Sequence, residues 1–173
     1  GVRGTPAKPY LDKFIRENSS IFAGAKTIRV EAAPVTIGGL LKKIVDDNVM
    51  LVGEAAGQVI PLTDGEIHSS IVGGKMAGET AVEALQEENL SRDRLFEYVE
   101  RYDEGWGKRI RDSLKALRVF EKLGDDDLNR LADFLEPQDI LDLANGLDLK
   151  RVSHKFLKHP WFSLKIAKAL LTA

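Results

Sequence analysis

Residues 47–79 read DNVMLVGEAAGQVIPLTDGEIHSSIVGGKMAGE, and the reading of this stretch decides the fold. Val49-Met50-Leu51-Val52 is a short apolar run with two β-branched residues, ending at Gly53. It is read as a buried strand, although a run this short leaves periodicity silent between strand and helix. Gly53, Gly57 and Gly65 allow positive φ and close approach of backbone to backbone or to a ligand. Pro61 stops regular structure, and Thr63-x-x-Glu66 before Ile67 has the form of a capping box opening a helix. Ile67, Ile71, Ala77, Ala81 and Leu85 then recur at helical spacing, while Gly73, Gly74 and Gly78 put small residues where something packs tightly. Strand, glycine-bearing turn and helix start make an arrangement that suits an anionic or dipolar ligand, because unpaired N–H groups and the positive helix end converge there.

The run VMLVGEAAGQVIPLT-x-G-x-I resembles the second flavin-binding signature of the geranylgeranyl reductase family, which includes the archaeal digeranylgeranylglycerophospholipid reductases. The resemblance implies a FAD-dependent oxidoreductase that saturates isoprenoid chains of prenyl lipids. It makes Glu54 the ligand of the FAD ribityl chain. Gly53, Ala55, Ala56 and Gly57 line the cofactor on this reading, and Pro61, Gly65 and Ile67 sit beside the isoalloxazine. The usual pattern carries glycines where this chain has Asp64 and Glu66. Two carboxylates about 5 Å apart repel by roughly 3 kcal/mol at an effective dielectric near 20. Either their side chains point away from the flavin, or flavin reduction is disfavoured here.

A FAD enzyme of this type opens with strand, G-x-G-x-x-G turn and helix, and no such fingerprint occurs in these residues. With the opening Gly1, its absence leads to the expectation of a C-terminal piece of a flavoprotein. The expected class is α/β with an α-helical C-terminus, a partial FAD/NAD(P)-binding Rossmann-like fold lacking its N-terminal dinucleotide-binding half. The domains expected are 1–47, the end of a substrate-binding domain with a return connector; 48–89, the C-terminal part of the FAD-binding domain; and 90–173, a helical region. The missing half is expected in cis or in trans. The alternative is a non-catalytic, truncated or degenerate module serving as a helical interaction or membrane-surface domain.

Composition narrows the classes. At 173 residues there is chain enough for one sizeable core, and a net charge of -2 gives no general argument for a nucleic-acid partner. The absence of cysteine excludes disulfides, thiolate metal sites and a cysteine nucleophile, and fits a cytoplasmic setting. No apolar run approaches the roughly 18–20 residues that span a bilayer.

Along the chain, Gly1 to Pro9 reads as a loop; Leu11, Phe14 and Ile15 mark a short helix ending near Asn18-Ser19-Ser20. Thr27 to Glu31 alternates with period two and predicts a half-buried strand. Leu40 to Val45 stays open between helix and connector. Ser91 is an N-cap for a long helix whose stripe, Leu95, Val99, Tyr102, Trp106, Ile110, Leu114 and Leu117, runs through Gly105 and Gly107 despite about 1 kcal/mol per glycine. Asp125-Asp126-Asp127 opens another helix, and Gly146 should end a short one containing Ile140, Leu141 and Ala144.

From Lys150 onward every charged residue is basic, interleaved with Phe156, Trp161, Phe162 and leucines. Such a segment can contact a membrane surface peripherally, or be a terminal helix whose lysines reach water. His68 reads as a packing or hydrogen-bonding residue. His154 and His159 lie among lysines, a poor place to gather a cation, so no metal site is expected. Trp106 belongs to the core or to the wall of an isoprenoid cavity. No catalytic residue is assigned.

Overall fold

The computed structural model describes residues 6–171, so the first five residues of the expected opening loop, with the resemblance at Gly1-Val2, lie outside the described residues. The side chains of Leu157, Trp161, Ile166, Leu170 and Leu171, part of the apolar content of the expected membrane-facing tail, also lie outside them. The chain divides into two units, one ending at Pro34 and one beginning at Val35.

The first unit contains α1 (Ala7–Glu17) and α2 (Ser19–Phe22), joined edge to face by the rings of Phe14 and Phe22, 6.0 Å apart. The helix therefore starts inside the segment expected to be loop. The strand expected at Thr27–Glu31 is not formed: these residues belong to no helix or strand, and Ile28 is 97% exposed. Alternation places side chains on two faces, but a strand also needs a neighbour, and this unit offers none among the described residues.

The second unit opens with irregular chain that leads into β1 (Val45–Asp46) and β2 (Val49–Met50), an antiparallel hairpin pairing Val45 with Met50 and Asp46 with Val49. Asn48 takes the left-handed conformation at its tip, φ 62°. The expected strand thus exists, but it is short, and Val49 lies half in water rather than buried. A 3-10 turn (Gly53–Ala56) follows, then the irregular turn Pro61–Glu66, then α3 (Ile67–Gln86). After that the described residues are helical: α4 (Arg92–Tyr102), a π-helical turn (Asp103–Gly107), α5 (Lys108–Phe120), α6 (Asp125–Phe134), α7 (Pro137–Asn145), α8 (Leu149–Leu157) and α9 (Pro160–Leu171). The fold observed is mostly helical with one small hairpin, and its C-terminal region is α-helical as expected.

The core gathers Ile44, Val45, Ile60, Tyr98, Tyr102 and Ile110 under α3 and α4. Helix α3 meets it with small residues, Ser69, Gly73, Ala77, Thr80 and Ala84, while Ile67, Ile71 and Leu85 are 76, 66 and 61% exposed. Of the stripe legible in the sequence, Ala77 faces the core, while its large members Ile67, Ile71 and Leu85 face outward. The small face wins the inward position because it admits other groups closely: a Cβ on Gly73 would lie 2.2 Å from Gln58 Oε1.

Helix α4 starts at Ser91, whose hydroxyl accepts the Arg94 N–H at 3.4 Å, as the sequence suggests. The stripe crosses Gly105 and Gly107 without a break, and the insertion there is a π turn. A Cβ on Gly107 would sit 2.1 Å from Asp103 Oδ1, so the glycine leaves room for the carboxylate, which binds Arg111 with one contact of 3.0 Å. Helix α6 begins where expected, and α6 and α7 each open with a carboxylate reaching back to a preceding N–H, Asp127 to Gly124 (3.0 Å) and Asp139 to Glu136 (2.8 Å). Gly146, φ 63°, ends α7 in the left-handed conformation.

The uneven charge of the C-terminal third resolves into pairs. Arg151 reaches Asp139 and Asp142, each at 2.6 Å; Lys155 reaches Asp139 at 2.6 Å; Lys165 pairs with Asp127. Asp127 of α6 and Asp139 and Asp142 of α7 are thus counter-ions of Lys165 of α9 and of Arg151 and Lys155 of α8.

Candidate functional site: an exposed glycine turn and its buried support

The turn at Gly53–Gly57 is built by local hydrogen bonding. Gly57 N–H donates to Glu54 O at 2.8 Å and Gln58 N–H to Gly53 O at 3.0 Å, with φ of +71° at both Gly53 and Gly57. Irregular chain on its flank is fixed to it: Leu41 N–H donates to Ala56 O at 3.1 Å, and Thr36 N–H to Glu54 Oε1 at 3.0 Å. Gly57 is required here, because a Cβ would stand 2.1 Å from Gly39 O.

Beneath the turn lies a group that sequence reading passed over. Gln58 is fully buried; its Oε1 accepts the Gly53 N–H at 2.7 Å and its Nε2 donates to Tyr98 Oη at 2.5 Å. Tyr98 in turn donates to Leu51 O at 3.0 Å, and Ser69 Oγ to Gln58 O at 2.5 Å. Burial pushes the Tyr98 phenol above its usual range, with the Gln58 hydrogen bond pulling weakly the other way, so it stays a neutral donor. The available signal was a lone amide in the apolar run AAGQVIP.

The second turn is closed by Ile60 N–H to Gly65 O at 2.8 Å and Thr63 N–H to Ile60 O at 3.2 Å, with Asp64 at φ 53°. The expected capping box is not made. Glu66 is itself the N-cap and no side chain caps α3; the Ser69 hydroxyl instead donates to Glu66 O at 3.0 Å. Leu62 N–H donates to Ser113 Oγ at 3.1 Å, tying this turn to α5. The two acids part company: Asp64 is exposed, whereas Glu66 Oε2 is buried without a partner among the described residues. Beside them a cavity of about 370 Å³ is bordered by His68, Trp106, Arg109 and Asn145. His68 packs edge-on against Trp106 at 5.0 Å, in line with its packing role, and the Arg109 guanidinium lies 3.9 Å above the Trp106 ring centre. Burial draws the Arg109 pKa down, with Tyr102 acting in the opposite sense.

Of the residues expected to face a cofactor, Glu54, Ala55, Gly65 and Ile67 are at the surface and Gly53 is half-buried. Ala56, Gly57 and Pro61 are buried within the chain. The exposed members lie on the outside of the two turns, and the buried ones pack beneath them. Among the described residues no cluster of His, Asp or Glu with metal-ligand geometry occurs, and no helix is long and apolar enough to cross a membrane.

Comparison of the sequence with known proteins finds relatives named as digeranylgeranylglycerophospholipid reductases. The chain is 35% identical over 179 residues to digeranylgeranylglycerophospholipid reductase 2 of Methanopyrus kandleri, covering 99% of this chain and 45% of that protein. It is 34% identical to digeranylgeranylglycerophospholipid reductase 1 of Methanosphaera stadtmanae and 32% to the enzyme of that name from Methanococcus aeolicus, covering 42% and 41% of them. By sequence the chain belongs to the geranylgeranyl reductase family, and it spans less than half the length of the curated relatives it matches. No protein-family model and no solved structure matches it.

Proposed function

We propose that the chain is the flavin-edge and helical C-terminal portion of a FAD-dependent reductase that saturates isoprenoid double bonds of prenyl lipids. The observation that carries this reading is similarity along 99% of the chain to a digeranylgeranylglycerophospholipid reductase. Glu54, with Gly53 and Ala55, would hold the ribityl chain, and Gly65 and Ile67 would border the ring system. Ala56, Gly57 and Pro61 would keep the turns in register from below. Bound there, FAD would supply the hydride delivered to the prenyl double bond. This chain's residues would orient the ring edge and exclude water from it.

The G-x-G-x-x-G turn that would hold the FAD pyrophosphate belongs, on this reading, to the part of the relatives without a counterpart here. The outward Ile67, Ile71, Val82 and Leu85 of α3 would be covered by that part, supplied in cis or in trans. The setting is cytoplasmic. Peripheral membrane contact through residues 150–173 would rest on Lys150 and Lys158, because Arg151, Lys155 and Lys165 are already paired.

The test joins the 173 residues to the stretch of the Methanopyrus relative that they do not match, and incubates the product with a reductant and a geranylgeranyl lipid. Stepwise mass gains of two hydrogens per double bond are expected. An unaltered lipid, with flavin bound and reducible, would sink the reading.

A further inference from the structure

The turn before α3 carries acids where the usual family pattern has glycines, and across from it stands a cation that no acid answers. Arg109 lies at the start of α5, directly after the π turn. Its guanidinium lies 3.9 Å above the Trp106 ring centre, and its Nε donates to Asn145 O at 3.4 Å. Among the described residues it makes no ion pair, whereas Lys108, Arg111 and Lys115 of the same helix each reach a carboxylate. Arg109 is also half-buried. An aromatic face and one carbonyl return only part of what it costs to desolvate a cation, so an arginine so placed favours a negative charge nearby.

Its position is fixed by neighbouring elements. Gly146, at the end of α7, leaves room for the Arg109 carbonyl: a Cβ there would stand 2.0 Å from that oxygen. One helical turn on, Ser113 Oγ accepts the Leu62 N–H at 3.1 Å, and residues four apart share a helix face. The face of α5 that ties down the turn therefore also presents Arg109 to it. Arg109 borders the cavity of about 370 Å³ together with Asp64, Gly65, Glu66 and Ile67. Neither acid has taken up its charge, since Asp64 is exposed and Glu66 Oε2 has no partner among the described residues.

Gly65 and Ile67 are the residues proposed above to border the flavin ring. Reduction of a flavin adds negative charge to its ring system, and charges held beside the ring set how readily that happens. The two carboxylates alone would disfavour it, and a cation on the same cavity acts in the opposite sense. We propose that Arg109 is the counter-charge of this turn, offsetting Asp64 and Glu66 so that a flavin bordered by Gly65 and Ile67 stays reducible. This role rests on the flavin reading, and it supplies a third outcome beside acids that point away and a flavin that resists reduction.

The test uses the joined protein described above, purified with FAD and titrated with reductant against a reference dye to give the flavin midpoint potential. Arg109→Met should lower the equilibrium constant for reduction about tenfold, which is about 30 mV for a two-electron couple. Arg109→Lys, which keeps the charge, should stay within about threefold of the unaltered protein. Asp64→Asn/Glu66→Gln should raise the constant, and asparagine tolerates the left-handed backbone that Asp64 adopts. The same pair placed in the Arg109→Met protein should bring the potential back toward the unaltered value. The acid-neutralising arm leaves Arg109 in place, so it decides the matter even where Arg109→Met fails to fold. A potential indifferent to Arg109→Met, or equally low in Arg109→Lys, overturns the role of Arg109, as does one unmoved by neutralising the acids. Flavin retention through gel filtration separates the failures: retained flavin with an indifferent potential leaves the flavin reading standing, whereas a joined protein that holds no flavin overturns both.

Discussion

Replacing Gly73 by alanine sets two physical effects against each other. Alanine is favoured over glycine inside a helix by about 1 kcal/mol, so on propensity alone Gly73→Ala should stabilise α3. The new Cβ, however, would stand 2.2 Å from Gln58 Oε1, 2.9 Å from its Cδ and 3.0 Å from its Nε2. A surface side chain would swing away at little cost, but Gln58 is fully buried and clamped at both ends by Gly53 N–H and Tyr98 Oη. Displacing it leaves the Gly53 donor unpaired, at about 1–3 kcal/mol, and breaks the bond to Tyr98, at roughly 1 kcal/mol. Against the helix gain, net destabilisation of about 2 kcal/mol is expected. Gly78, on the same helix, has nothing within 4 Å of its hypothetical Cβ. There the propensity gain stands alone, and Gly78→Ala should stabilise by up to about 1 kcal/mol. Urea unfolding followed by circular dichroism measures both. If Gly73→Ala stabilises as much as Gly78→Ala, the amide clamp beneath the turn is not as described.

Gly57→Ala and Gly146→Ala should each impair folding far more, since both combine a left-handed φ with a Cβ about 2 Å from a carbonyl oxygen, of Gly39 and of Arg109 respectively; soluble yield and the thermal midpoint report this. Lys155 holds the Asp139 carboxyl below the usual range, Arg151 that of Asp142, and Lys165 that of Asp127. Because these pKa values are depressed on folding, the stabilisation is complete well above the unfolded carboxylate value near 4 and is lost as pH falls below it. Thermal midpoints between pH 7 and pH 3 should therefore decline at the acid end, and less steeply in Asp142→Asn. Binding to anionic vesicles should be weak and should vanish in Lys150→Ala/Lys158→Ala; undiminished co-sedimentation of that variant would locate membrane contact elsewhere.

The helical C-terminal half was legible because its signals are local. Ser91, the Asp125–Asp127 run and Gly146 are punctuation whose physics needs no partner. The turn at Gly53–Gly57 was legible as a motif, and the outer exposure of Glu54 and Ala55 is consistent with that reading. What escaped depends on neighbours. Thr27–Glu31 has strand periodicity and no strand beside it. The large members of the α3 stripe, Ile67, Ile71 and Leu85, face out because Gln58 and α4 need the small side of the helix, a choice that periodicity does not encode. Basic residues after Lys150 suggested an anionic surface, yet their partners lie in the preceding helices, across a turn that composition does not place. Gln58 was invisible for a related reason: a single amide acquires meaning only once Gly53, Ser69 and Tyr98 surround it.

Flavin content tests the central claim most directly. The 173 residues alone should purify colourless, because the pyrophosphate-binding turn is not among them. Joined to the unmatched stretch of the Methanopyrus relative, they should retain about one FAD per chain through gel filtration, and Glu54→Ala in that protein should lower the retained fraction severalfold without shifting the thermal midpoint of the flavin-free form. A joined protein that stays colourless, or one whose flavin content ignores Glu54, would contradict the assignment of the Gly53–Ile67 turns to the cofactor.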